Sequence, residues 1–128
     1  MGNQVIYTKQ APEAAGPYSQ AIVRDGWLFG AGQVGLDPAS QQLVSGGIEE
    51  QTAQVFRNIR AVLEAAGAQL EDVVKTSVFL QDIGDFVPMN EVYAQHFGAS
   101  PPARSTFAVA GLPLGALVEI EYIARLSE

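Results

Sequence analysis

Arg104 sits in the segment Pro101-Pro102-Ala103-Arg104-Ser105. The two prolines stiffen the approach to it. An arginine held in place can grip a carboxylate through two parallel hydrogen bonds. Spacing alone leaves a second reading open, a solvated charge or a structural ion pair, which is the commoner fate of arginine. Glu119 and Glu121 stand two residues apart, so a strand would present both on one face. A carboxylate on a stiff strand facing a cleft can act as general base or acid toward water, and partial burial would raise its pKa toward a useful range. The plainer alternative is an ordinary polar strand surface.

Three further segments carry chemical possibilities. In Gly16-Pro17-Tyr18-Ser19-Gln20 the Gly-Pro pair signals a turn. Tyr18 just beyond it either offers its hydroxyl to a ligand or packs its ring in the loop. Gly30-Ala31-Gly32-Gln33 places glycines in a strand, where a backbone or ligand comes close. It lacks the Gly-Lys-Ser/Thr ending and the following helix of a phosphate loop. His96 is the only histidine. It stands near the end of an amphipathic stretch without a nucleophile motif, which suits an interaction at a helix C-terminus better than a catalytic triad. One histidine and no cysteine rule out histidine-rich and thiolate metal sites, and the carboxylates show no clustered metal-binding spacing.

The elements that must position these residues are legible in outline. Residues 20–24 and 27–33 read as strands joined by Asp25-Gly26, a strong two-residue hairpin signal. Asp37-Pro38 opens a turn, and residues 42–44 suit a short strand. Ile48, Phe56, Ile59, Leu63 and Ala66 recur at helical steps, with Gly67 just past the helix end. Residues 73–80 form a β-branched run. A second helix starts at Asp85 as N-cap, with Pro88 in its first turn. Phe86, Met89, Tyr93 and Phe97 line one face of it, and Gly98 closes it. Strands follow at about 104–109 and 117–126. In the last, Val118, Ile120, Tyr122 and Ala124 alternate with Glu119, Glu121, Ile123 and Arg125. The order predicts an α+β fold, a mixed and partly parallel sheet with two helices packed on one face.

The chain of 128 residues suits one domain, 1–128, with enough apolar sequence for a core. Its net charge of -7 opposes broad contact with phosphate backbones, so no nucleic-acid partner is expected. No apolar run reaches the roughly 18 residues of a membrane span. The first residues lack the basic and apolar regions of a signal peptide, and the absence of cysteine is compatible with a reducing cytoplasm.

Taken together, the segments are more specific than any one alone. Gly16-Pro17-Tyr18-Ser19-Gln20-Ala21, Gly32-Gln33, Val74-Lys75-Thr76, Asn90 followed by Tyr93 and Phe97, Pro102-Ala103-Arg104-Ser105 and Val118-Glu119-Ile120-Glu121 stand in one order. In this the chain, from about residue 4 to 126, resembles the Rid family (RidA/YjgF). The resemblance implies a chorismate-mutase-like fold and a homotrimer with a barrel-like core of inward-facing sheets and ligand clefts between subunits. It implies a cytoplasmic 2-iminobutanoate/2-iminopropanoate deaminase that hydrolyses reactive 2-imino acids, or their enamine tautomers, to 2-keto acids and ammonia without metal or organic cofactor. By position, Arg104 would pair with the substrate carboxylate, assisted by the Gly32 amide. Glu119 would position or activate water, in preference to Glu121, and Tyr18 would stand near the reacting group. Ala31, Asn90 and Thr106 would line the cleft. Two positions depart from the family pattern: Ala31 stands where serine is common, and Thr106 where cysteine is frequent. The loss at Ala31 removes a polar contact and leaves room for a small-carboxylate-binding regulator or holdase of the same fold. The family is also linked by name to endoribonuclease activity, which the acidic charge opposes.

Overall fold

The computed structural model describes residues 2–127. In chain order its elements are strands β1 (Gln4–Ile6), β2 (Ala21–Arg24), β3 (Trp27–Val34), β4 (Leu36–Asp37) and β5 (Gln42–Leu43), helix α1 (Ile48–Ala65), strand β6 (Val73–Leu80), helix α2 (Phe86–Ala94), and strands β7 (Ala103–Ala108) and β8 (Val118–Arg125). The main sheet runs β1-β2-β3-β8-β6-β7, and β4 pairs with β5 in a separate ribbon. Only the edge pair β6–β7 is parallel; the other neighbours in the main sheet are antiparallel. The α2 crossover supplies the connection that a parallel pair requires. The mixed α+β architecture is thus the expected one.

Local sequence accounts for most of these elements. Asp25 and Gly26 both take positive φ, 53° and 82°, as the tight hairpin turn between β2 and β3 demands. At the start of α1, the Gly47 amide donates to Glu50 Oε1 at 2.8 Å. At its end Gly67 takes φ 77°. The Gly67 amide then reaches Glu64 O and the Ala68 amide reaches Leu63 O, which satisfies two terminal carbonyls.

Val55, Phe56, Ile59, Val62 and Leu63 of α1 are fully buried against Leu28, Val78, Leu80, Ile120 and Tyr122 of the sheet. Met89 and Tyr93 of α2 join the same cluster. The Tyr93 hydroxyl lies 2.7 Å from Thr76 Oγ1, on the same side of β6 as Val78. Both helices therefore cover one face. The opposite face stays open in the isolated chain and mixes apolar with polar groups: Phe29 and Phe107 are each 50% exposed, the Phe107 ring pairs edge-on with Phe79, and Lys75, Ser77 and Glu121 stand beside Phe29.

A second set of buried contacts on α1 is polar. Asn58 is fully buried. Its Nδ2 donates to Leu36 O at 2.9 Å and to Val34 O at 3.2 Å, while its Oδ1 accepts from Gln54 Nε2 at 2.9 Å. Gln51 Oε1 accepts the Leu117 amide at 2.9 Å. This row fastens the end of β3 and the entry to β8 to the same helix.

Three expectations are corrected. Gln4–Ile6 forms an edge strand that the sequence pattern did not announce. The second helix ends at Ala94 and does not run to Phe97. The Gln95 and His96 amides bond back three residues, to Val92 and Tyr93, tightening the last turn. Phe97 then meets Phe56 and Tyr93 from the loop. Asp85 holds the N-cap position without a side-chain cap. The capping carboxylate belongs to Asp82, which accepts the Gly84 amide at 2.8 Å in the tight turn just before the helix.

Removing the Asn58 carboxamide leaves the buried Val34 and Leu36 carbonyls without it. Asn58→Ala should cost about 2–3 kcal/mol, read as a lower urea midpoint with an unchanged slope.

Candidate functional site

The predicted residues fall into two groups. The first borders a cavity of about 460 Å³ that includes Tyr18, Ala31, Gly32 and Glu119. Glu119 reaches it from β8, opposite Val34 of β3. Register slips between Gly30 and Gln33, so Ala31 and Gly32 share one partner position in a bulge, a device that re-aims side chains. Gly32 leaves open the space that the Glu119 carboxylate occupies, which a Cβ there would contest. The carboxylate is thus seated directly on the Gly32 backbone. The Ala31 amide is tied to Gln20 O at 3.0 Å.

Gln20, itself buried, staples the N-terminal loop over this cavity. Its side chain donates to Pro12 O at 2.8 Å and accepts the Thr8 amide at 2.8 Å. Tyr18 closes a turn, with its hydroxyl accepting the Ala15 amide at 3.1 Å.

Burial raises the pKa of Glu119 above the ordinary glutamate range, and the charge of Glu121, two residues along the same face, raises it further. A half-buried carboxyl with a raised pKa is suited to pass protons to and from water.

The second group lies at the β7 edge. Arg104 and Thr106 point to the helix side of the sheet, in register with Thr76 and Val78. The Arg104 guanidinium lies 4.6 Å from the Tyr93 ring centre and 5.7 Å from that of Phe86, a cation–π seat that fixes its direction. Among the described residues it has no carboxylate partner. It borders a hollow of about 370 Å³ with Asn90, Phe97 and Pro102. Asn90 Oδ1 and Thr106 Oγ1 are buried with no protein partner, an uncommon condition that marks groups placed to meet something else.

One chain does not unite the two groups. Glu119 faces the open side of the sheet and Arg104 the helix side. Their strands are two steps apart in the sheet order, about 10 Å at the usual spacing. Glu119 is level with Phe79, and Phe79 with Phe107, so Arg104 is also three residues away along the strand.

His96 belongs to neither group and caps no helix carbonyl with its side chain. Its ring stacks on Phe56, centres 4.3 Å apart, and Nδ1 lies 3.3 Å from Arg60 Nη2. Burial, then the charges of Arg60 and Arg57, lower its pKa. The sequence reading missed Tyr93 as the seat of Arg104, assigning it only to the apolar helix face. Its spacing three residues after Asn90, on the side facing the prolines, was the available signal. Among the described residues no three His, Asp or Glu side chains converge to hold a metal ion, and no helix is long and apolar enough to cross a membrane.

Comparison with known proteins is consistent with this fold. The family described as Endoribonuclease L-PSP matches residues 8–126. A RutC family protein of Pyrococcus horikoshii is 53% identical, over 94% of this chain and 96% of its own. The human 2-iminobutanoate/2-iminopropanoate deaminase is 49% identical, over 94% of this chain and 88% of its own. The crystal structure of RidA from an Antarctic Psychrobacter superposes with a TM-score of 0.93 at 45% identity, covering 96% of this chain and 99% of that one.

The Glu119 shift has a checkable sign. Its folded pKa is raised, so the folded chain holds this proton to higher pH than the unfolded chain does. The stability it contributes is full below the ordinary value of 4.5 and is lost as pH rises through the folded value. Glu119→Gln should flatten that part of the pH–stability curve, measured by urea unfolding at a series of pH values. Glu121→Gln should move the Glu119 titration downward in a side-chain NMR experiment.

Proposed function

The chain belongs to the Endoribonuclease L-PSP family, the RidA/YjgF proteins, and from that premise we propose that it hydrolyses reactive 2-imino acids, and their enamine tautomers, to 2-keto acids and ammonia. The observation that carries the reading is the pair of incomplete half-sites. An arginine without a carboxylate partner waits at one edge, and a carboxyl with a raised pKa sits in a cavity on the opposite face. A second copy of the chain would bring one against the other.

In that shared cleft, Arg104 of one copy holds the substrate carboxylate, with the Gly32 amide of the neighbour assisting. Asn90 and Thr106 offer their unpaired oxygens beside the guanidinium. Glu119 takes a proton from water as its oxygen bonds to the imine carbon, and passes it to the nitrogen. The resulting carbinolamine passes its hydroxyl proton, through Glu119, to the amino nitrogen as the C–N bond breaks, leaving keto acid and ammonia. Tyr18 stands beside the reacting carbon. Imine carbon is already electrophilic, so orientation and a proton shuttle suffice.

The open sheet face supports a homotrimer with a barrel-like core. On it, exposed Trp27, Phe29 and Phe107 stand among Lys75, Ser77 and Glu121, a mix of apolar and polar groups that an interface between copies can bury. The same reading takes residues 1–128 as one Rid-type domain acting in the cytoplasm, with small 2-imino and 2-keto acids as its ligands. The acidic charge of -7 opposes RNA as substrate.

Ala31 favours one second reading. Without a hydroxyl beside Gly32, the cleft can bind small carboxylates while turning imines over slowly, as a regulator or holdase would.

Imines generated in situ from alanine or 2-aminobutyrate test the proposal. The protein should speed keto-acid release. Arg104→Ala and Glu119→Gln should each lower kcat/KM by roughly 100-fold or more. Ala31→Ser should raise it if the missing hydroxyl limits turnover. Binding of 2-ketobutyrate by calorimetry without acceleration of any imine would favour the second reading. A monomer in light scattering would sink the shared cleft.

A further inference from the structure

Leu114 holds a left-handed backbone, φ 63° and ψ 14°, and Gly115 follows at φ 74°. Glycine enters this region freely, while a leucine there is an outlier. The other described non-glycine residues with positive φ are Asp25 and Gln41, both polar and both in turns next to short strands. The Leu114 turn is pinned at both ends. The Leu112 amide donates to Gln81 Oε1 at 2.9 Å. The Ala116 amide reaches Pro113 O at 3.1 Å, and Ala116 itself is fully buried against Val34 and Leu36.

Nothing in this framework calls for a leucine at the tip. Its side chain is 63% exposed, so core packing does not retain it, and its backbone would be relaxed by glycine. What the side chain does border is the Glu119 cavity, where it extends an apolar wall made by Pro12, Val34, Leu36 and Pro113. Backbone strain kept at the rim of a reactive cavity points to a function for the residue that bears it.

Resting on the deaminase reading above, we infer that Leu114 is a specificity-determining residue that selects 2-imino acids with aliphatic side chains longer than methyl. The imine carbon has three substituents in one plane. The nitrogen faces the Glu119 proton shuttle and the carboxylate faces Arg104 of the neighbouring copy. The remaining substituent, the side chain, is left with the apolar wall. A cavity of about 460 Å³ is in the range of sites that enclose whole ligands and has room for a branched side chain.

The test is the ratio of kcat/KM for the leucine-derived imine to that for the alanine-derived imine. It is measured on wild type, Leu114→Gly and Leu114→Asn, with thermal midpoints beside it. Glycine and asparagine both accept the left-handed backbone. Both variants should therefore stay folded, and Leu114→Gly should melt at or above the wild-type temperature. The ratio should fall about tenfold in each, the size expected when a hydrophobic contact to one substrate side chain is removed. An active wild type with a ratio unchanged in both folded variants overturns the role of Leu114 alone. A wild type that hydrolyses neither imine overturns the deaminase reading and this inference with it.

Discussion

The buried carboxamide of Asn58 ties the end of β3 to helix α1. Its two hydrogen bonds close the corner where β3 passes into β4, and Gln51, two turns earlier on α1, holds the entry to β8. Leaving such carbonyls unpaired in a dry interior would cost about 1–3 kcal/mol each. The corner and the β8 entry are therefore fixed to one rigid helix. Glu119 is the second residue of β8, and the bulge that seats it lies just before the corner. The position of the Glu119 carboxyl is thus set from the far side of the sheet.

The site inherits its electrostatics from this arrangement. Burial raises the pKa of Glu119, and the charge of Glu121 raises it further. Arg104 lies on aromatic rings, which orient a cation without neutralising it. Each group is kept in a state that costs free energy in the isolated chain, one by desolvation and like charge, the other by lacking a counter-ion. A ligand carrying a carboxylate on one end and a protonatable nitrogen on the other would relieve both.

Much of the fold was legible because local chemistry and global structure agree. The alternation from Val118 to Arg125 gave the last strand its two faces. Asp25-Gly26 set the first hairpin, and Gly67 ended α1. The failures have physical causes. Gln4–Ile6 pairs with the next strand across the irregular loop of residues 7–20, and so short a segment carries no periodicity of its own. The end of α2 was set by where Phe97 could reach Phe56, a tertiary contact. Gln51, Gln54 and Asn58 recur at helical spacing, yet their residue types read as a solvent face. The individual site residues could be picked out in sequence by their order and by a family resemblance. Their separation onto opposite faces could not, because it follows from the register in which Arg104 of β7 stands level with the helix-facing Thr76 of β6 while Glu119 stands level with Phe79.

The distance between Arg104 and Glu119 within one chain has a consequence for heredity. If neighbouring copies share each cleft, a chain that has lost the arginine still carries a sound carboxyl, and a chain that has lost the carboxyl still carries a sound arginine. Two defective alleles expressed together would rebuild some intact clefts in mixed assemblies. A single chain bearing both defects would rebuild none when mixed with itself. Intragenic complementation of this kind is closed to an enzyme whose reacting groups all meet within one polypeptide.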